Sequence, residues 1–116
     1  MALITQYSFG MMEIDGEVYR KDLIILPDGP IHHPWWRADG HVLTVADIQI
    51  VLTAEPALLV VGTRSSGMIR PVAGFKESVE AKGIQVITLS TAQAVQEFNR
   101  MSAQSESCAG CFHLTC

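Results

Sequence analysis

The chain has 116 residues, of which 48% are hydrophobic and 17% are charged, and its formal net charge at pH 7 is −4. This length predicts a single domain, 1–116, with a hydrophobic core of its own, and the composition excludes a disordered chain. The negative charge argues against nucleic-acid binding, and no apolar run reaches the roughly eighteen residues that a transmembrane segment needs.

The cysteine content favours a reducing, cytoplasmic setting. All three cysteines lie within the last nine residues, and an odd number at one end is a poor disulfide framework. Residues 1–6 lack the basic segment that opens a secretory signal, so we expect no such signal. We therefore expect free thiols.

Residues 1–30 are predicted to form an antiparallel β unit. Side chains alternate over residues 3–9 as they do on the two faces of a strand. Asp15 and Gly16 tolerate the positive φ angles of a two-residue turn, which predicts a β-hairpin. A long irregular loop is expected to follow over residues 31–43.

Three helices are predicted in the second half of the chain, 44–116. Thr44 begins the first as its N-cap, with Asp47 in the capping-box position. The second is expected over residues 71–82, with a proline at its first position and a glycine just past its end. Ser90 is expected to cap the third.

Apolar runs alternate with these helices. They predict strands at 57–61, 84–89 and 108–115. Such alternation implies a parallel or mixed sheet that is covered by helices. The chain is therefore predicted to be a compact single α/β domain, with a mixed central sheet flanked by helices and an N-terminal antiparallel β-hairpin unit.

Short motifs along most of the chain are similar to those of one known family. They are Phe9-Gly10, Ile14-Asp15-Gly16, Tyr19 followed by Asp22, Pro27-Asp28-Gly29, Trp36, Val61-Gly62-Thr63, Thr91 with Ala94-Val95, Phe98-Asn99 and Phe112-His113-Leu114-Thr115-Cys116. On these residues the chain resembles the small α/β domain family that includes mitochondrial complex I assembly factor three and an adipogenesis-associated vertebrate protein. The resemblance implies a compact fold with a mixed sheet, and it implies no established reaction.

The C-terminal segment offers four soft donor groups within nine residues. In a strand, Cys108 and Cys116 face one way while Cys111 and His113 face the other, which disfavours one shared zinc ion. The Cys-x-x-Cys spacing also fits a redox pair, but such pairs usually begin a helix. We therefore expect no metal and favour a core strand with small buried thiols.

A nucleophile with its base is the third interpretation of this segment. Cys111 and His113 share a strand face, and Cys116 is the other candidate thiol. No third group that would orient the histidine is evident from the sequence. A histidine in a sheet is more often a hydrogen-bonded structural residue.

The segment 62–68 connects a predicted strand to a predicted helix. In α/β sheets, ligands bind at the carboxyl ends of strands. The frame matches Gly-x4-Gly, but a methionine and an isoleucine follow where a phosphate loop needs Lys and Ser or Thr. Anion binding by Arg64, Ser65 and Ser66 remains a hypothesis beside a plain solvated turn.

An aromatic segment lies in the predicted loop. Adjacent tryptophans are costly to expose, so we expect at least one to pack on the core. Trp35, Trp36 and Arg37 are the candidate contact residues for a protein partner. The alternative is a loop that Trp36 pins to the core.

These observations favour one function and leave a second open. No complete catalytic signature appears, so we interpret the chain as a non-catalytic accessory or assembly protein that acts through protein–protein contact, without a cofactor. The resemblance implies a protein partner such as a membrane or respiratory-complex component, and homo-oligomerisation stays open. The alternative is a small-molecule or anion-binding protein or enzyme that uses the Arg64 loop and a cysteine–histidine pair.

Overall fold

Strands make up the first part of the chain, and strands alternate with helices in the second. A computed structural model describes residues 2–63, 69–104 and 107–114. In chain order the strands are β1 (Ile4–Ser8), β2 (Met11–Ile14), β3 (Glu17–Tyr19), β4 (Leu23–Ile25), β5 (Ile31–His32), β6 (Val42–Leu43), β7 (Leu58–Gly62), β8 (Arg70–Pro71), β9 (Gln85–Leu89) and β10 (Cys108–Phe112). The helices are a 3-10 helix, Val45–Ile48, followed by α1 (Gln49–Ala54), α2 (Phe75–Glu80) and α3 (Thr91–Ala103).

An antiparallel sheet in the order β1-β2-β3 opens the fold. Asp15 and Gly16 join β2 to β3 with φ angles of 51° and 86°. Positive values at both positions match the twist of a two-residue hairpin turn. The predicted N-terminal hairpin unit is thereby confirmed.

A mixed sheet in the order β5-β4-β10-β7-β9 forms the centre of the molecule. Strand β7 runs parallel to both β10 and β9, whereas β4 runs antiparallel to β10. Every residue of β7 and β10 is buried, as expected for apolar strands covered on both faces. The predicted mixed α/β architecture is confirmed. Strand β4 lies within residues 1–30, the predicted antiparallel unit, but together with β5 it joins the central sheet.

Both faces of the central sheet are covered. Helices α1 and α2 pack on one face together with Trp35, while α3 and the N-terminal sheet pack on the other. Side chains of β10 alternate between them, so Cys111 belongs to the first core and Cys108 to the second. Within the described ranges, no helix is long and apolar enough to cross a membrane.

Helix α2 is shorter than the predicted helix over 71–82. Pro71 lies in β8, which pairs in parallel with β6, and the backbone N–H of Val72 still donates to a β6 carbonyl. The chain is therefore extended up to Val72, and Gly74, with a φ of 82°, turns it into the helix. The glycine expected past the helix end, Gly83, has the left-handed φ of 86°.

The first helical segment begins at Thr44, as predicted. Both the backbone N–H and the hydroxyl of Thr44 donate to the Asp47 carboxylate at 2.9 Å. The first turn is a 3-10 helix that continues into α1. The preceding segment, 31–43, is less irregular than expected because it contains β5 and β6.

Gly62 allows helix α3 to approach β7 closely, which makes a stability prediction. A Cβ atom at this position would lie 2.9 Å from the Thr91 hydroxyl and 3.1 Å from the Thr91 α-carbon. We expect Gly62→Ala to lower the free energy of unfolding by about 1–3 kcal/mol, because the helix backbone must retreat. Urea denaturation measures the change.

Gly40→Ala is the matched control, since no atom lies within 4 Å of a Cβ placed there. Equal stability of the two variants would contradict the close approach of α3 to β7.

Candidate functional site

The carboxyl ends of β7 and β10 meet at one edge of the central sheet. Phe112 pairs with Gly62, and the next backbone N–H, that of His113, donates to the Gly62 carbonyl at 3.0 Å. On the other side of β10, Phe112 also pairs with Leu23. Asp22 and His113 are therefore neighbours at the edge where α/β proteins bind ligands.

The carboxylate of Asp22 accepts three hydrogen bonds from two segments of the chain. Its Oδ2 lies 2.8 Å from Nη2 of Arg37 and 2.7 Å from Nδ1 of His113, while its Oδ1 accepts the Leu114 N–H at 2.7 Å. The side chains of Asp22, Arg37 and His113 are only 10%, 5% and 3% exposed. We call these three side chains the Asp22 cluster.

Hydrogen bonding keeps Asp22 ionised in spite of its burial. Burial by itself raises the pKa of this carboxyl, but the bonds from His113, from the Leu114 backbone and from Arg37 outweigh it, so the pKa lies below its usual value. Because an ionised carboxylate only accepts, Nδ1 of His113 carries the hydrogen that it shares with Asp22. Nε2 is then the free nitrogen of the imidazole.

Arg37 and Trp35 fix the segment that brings them to the cluster. The guanidinium stacks on the Trp35 ring at 4.5 Å from its centroid, and Nη2 also donates to the Gly40 carbonyl at 3.1 Å. Trp35 is 3% exposed, its backbone N–H donates to the Asp22 carbonyl, and its indole N–H donates to the Asp47 carbonyl. Trp35, rather than Trp36, therefore pins this loop to the core.

Three buried nitrogen atoms of the cluster have no hydrogen-bond partner within the part of the chain that the structure describes. They are Nε and Nη1 of Arg37 and Nε2 of His113. Buried polar groups are nearly always satisfied in native proteins, since each unmet bond costs about 1–3 kcal/mol. The cluster thus keeps unused hydrogen-bonding capacity.

Both described cysteines are poor candidates for thiol chemistry. Cys108 and Cys111 are buried on opposite faces of β10, so they cannot share a metal ion or form a disulfide with each other. Burial raises the pKa of Cys111 far above its usual value, which the charge of Arg37 opposes only in part. Asp22 orients His113 through Nδ1, but Nε2 has no hydrogen-bond partner in the described ranges, so the histidine is not bonded to the Cys111 thiol.

The remaining predicted residues are divided between the surface and the segments outside the described residues. Trp36 is 72% exposed, and Nζ of Lys21 lies 5.9 Å from its ring centroid. Both line a shallow pocket of about 110 Å³, together with Arg20, Asp22, Pro34 and Trp35. We call its exposed rim, Arg20, Lys21, Pro34 and Trp36, the Trp36 surface.

The other predicted site residues, Arg64, Ser65, Ser66 and Cys116, lie outside the described residues.

Asp22 is not among the site residues predicted from the sequence. The usable signal is an aspartate directly before Leu23–Ile25, a strand whose three residues are all buried. A charge at such a position is costly unless it is paired. The identity of its partners depends on tertiary structure, because His113 lies 91 residues away.

The lowered pKa of Asp22 predicts a pH-dependent loss of stability. A carboxyl whose pKa is lower in the folded than in the unfolded state stabilises the protein above about pH 4, and this contribution disappears as the pH falls through the folded-state value. We expect Asp22→Asn to lower the free energy of unfolding by about 3 kcal/mol at pH 7, because Arg37 and His113 lose their charged acceptor and one of its two oxygens becomes an NH2 donor. The difference from wild type should shrink in acid, as measured by urea denaturation at several pH values.

Asp28→Asn removes the same charge from an exposed position and serves as the control. A pH-independent difference between wild type and Asp22→Asn would show that the carboxylate charge is not what holds the cluster together.

Burial of the thiols predicts slow alkylation. In the native protein, iodoacetamide should leave Cys108 and Cys111 unmodified, and both should react after unfolding in urea. The three cysteines share one tryptic peptide, 101–116, because no Lys or Arg follows Arg100. Fragment-ion mass spectrometry must therefore assign each label, and rapid native labelling of Cys111 would restore it as a candidate nucleophile.

Comparisons with known proteins agree with this fold. An outer membrane protein from Bartonella henselae is 27% identical, with a TM-score of 0.83 and coverage of 98% of this chain and 95% of that one. A conserved hypothetical protein from Pyrococcus horikoshii OT3 is 25% identical, with a TM-score of 0.81 and coverage of 97% and 98%. A Mth938-like domain from Bordetella pertussis, 20% identical with a TM-score of 0.75 and coverage of 97% and 85%, shares the fold. The model of a family described as protein of unknown function (DUF498/DUF598) matches residues 4–113, and the chain belongs to this family.

Proposed function

We propose that this chain is a non-catalytic accessory protein that binds a protein partner through the Trp36 surface. The observation that carries the proposal is the indole of Trp36, which is 72% exposed although its neighbour Trp35 is buried. Tryptophan is enriched among the few residues that dominate binding energy at protein interfaces. The exposed indole can contact a partner, and the shallow pocket beside it can accept a side chain of that partner.

Rigidity of the supporting segment favours this role. Trp36 lies between Trp35 and Arg37, and both of these side chains are buried and hydrogen-bonded or ion-paired. A side chain that is held in place before binding loses less conformational entropy when a partner docks. Trp35 and Arg37 thus support the surface from within and leave Trp36 as the contacting side chain.

Charge indicates what kind of partner segment fits. Arg20 and Lys21 are exposed at the rim of the pocket, and the Lys21 ammonium lies over the Trp36 ring. The chain as a whole carries a net charge of −4, so the rim is a positively charged patch on an otherwise acidic protein. A segment with an apolar side chain for the pocket and carboxylates around it is complementary to this surface.

The resemblance to the family of mitochondrial complex I assembly factor three supports a client from a membrane or respiratory complex. One protein of similar structure is described as an outer membrane protein. Buried cysteines at positions 108 and 111 that form no disulfide with each other fit the reducing, cytoplasmic setting that we propose for the domain. Anion binding by Arg64, Ser65 and Ser66 stays a separate prediction of the sequence.

Site-specific photocrosslinking tests the proposed surface. Benzoylphenylalanine placed at position 36 should crosslink one partner protein in the native cell, through a peptide rich in Asp and Glu. With that partner purified, Trp36→Ala and Lys21→Glu should each weaken the dissociation constant at least about tenfold, because they remove a central anchor and a complementary charge. Calorimetry or fluorescence anisotropy measures the affinity.

Position 96 provides the control. Gln96 is exposed on α3, which packs on the opposite face of the sheet from Trp35. A crosslinker there should not capture the partner, and Gln96→Ala should bind as wild type does. Partner binding that survives Trp36→Ala unchanged would refute the proposal.

A further inference from the structure

We propose that the Asp22 cluster is a binding site for a small oxyanion, a carboxylate or phosphate group, which Arg37 and His113 hold together. The proposal rests on the three buried nitrogen atoms that have no partner in the described ranges, Nε and Nη1 of Arg37 and Nε2 of His113. It is independent of the Trp36 surface, because it needs no protein partner.

The two side chains are adjacent because they share one acceptor. Nη2 of Arg37 and Nδ1 of His113 lie 2.8 Å and 2.7 Å from the same oxygen, Oδ2 of Asp22. Asp22 therefore orients both groups and leaves their other edges for a ligand. The guanidinium keeps the N–H at Nε and the two at Nη1, since Nη2 is bonded to Asp22 and to the Gly40 carbonyl.

The chemistry of these atoms selects the ligand. Arg37 offers only donors and a permanent positive charge, which fits the oxygens of a carboxylate or phosphate. Nε2 of His113 accepts a hydrogen bond when the imidazole is neutral and donates one when it is charged. Inorganic phosphate, which carries both anionic oxygens and a P–OH group, satisfies either form and is the suitable probe.

The surroundings favour an anion at this place. The cluster lies at the carboxyl ends of β7 and β10, where α/β sheets bind ligands. Asp22 also lines the shallow pocket whose rim carries Arg20 and Lys21. Two exposed cations at this opening attract anions toward the cluster in a protein that is otherwise acidic.

Phosphate titration of the ¹⁵N-labelled wild-type protein, followed by NMR at constant ionic strength, tests the site. We expect the Arg37 Nε–H and His113 Nε2 resonances to shift together along one saturable curve, and acetate to act at the same two residues if carboxylates also bind. Arg37→Lys keeps the charge but loses the planar donor set, so it should weaken phosphate binding at least about tenfold. Arg70→Lys, at an exposed position of β8, should leave binding unchanged.

The wild-type titration decides the question even if Arg37→Lys does not fold. Arg37 and His113 resonances that stay unmoved in millimolar phosphate would overturn the proposal. So would shifts that do not saturate and that match those of exposed Arg100. Failure of the Trp36 surface to capture a partner would leave this result unaffected, so the two proposals are separately testable.

Discussion

The fold near its functional edge depends on one buried carboxylate. Asp22 joins the start of β4 to the loop that carries Arg37 and to the end of β10 at His113 and Leu114. These segments are distant in sequence, and no backbone ladder links the loop to β10 at this point. A buried ion pair returns little net stability after its desolvation, but removal of one partner is costly. The main effect of the cluster is therefore to hold the loop in one conformation. Its net contribution to the free energy of unfolding is small by comparison.

The same carboxylate determines which side chains are available for function. Because the Arg37 guanidinium is drawn inward and stacks on Trp35, the intervening Trp36 is left at the surface. Because Nδ1 of His113 is bonded to Asp22, Nε2 is the nitrogen that remains, and in the described ranges it has no hydrogen-bond partner, Cys111 included. An exposed indole between two anchored residues and a pair of oriented nitrogen groups are the chemical features found here, and each supports one of our proposals.

Local signals in the sequence were sufficient for most elements of the fold. The turn at Asp15 and Gly16 and the cap at Ser90 depend on residues only a few positions apart, and the structure contains both. The start of α2 was not predictable in this way, because Pro71 is held extended by pairing with β6 far away in sequence. Asp22 was noted only as part of a family motif, and its role in the cluster was not predictable for the same reason. The role of a buried carboxylate depends on the side chains that it contacts, and these side chains come together only in the folded chain.

The two proposed sites have Asp22 in common, so ligand binding at one site is expected to affect binding at the other. Asp22 lines the pocket beside Trp36 and also orients the nitrogen groups of Arg37 and His113. An oxyanion on Arg37 would change the electrostatic balance of the Asp22–Arg37 pair, and the stacked Trp35 is adjacent to Trp36 in the chain. If an anion alters the affinity of the Trp36 surface, then a bound partner must alter the affinity for the anion by the same factor. The proposed contact with a partner would in this way depend on the concentration of a small molecule.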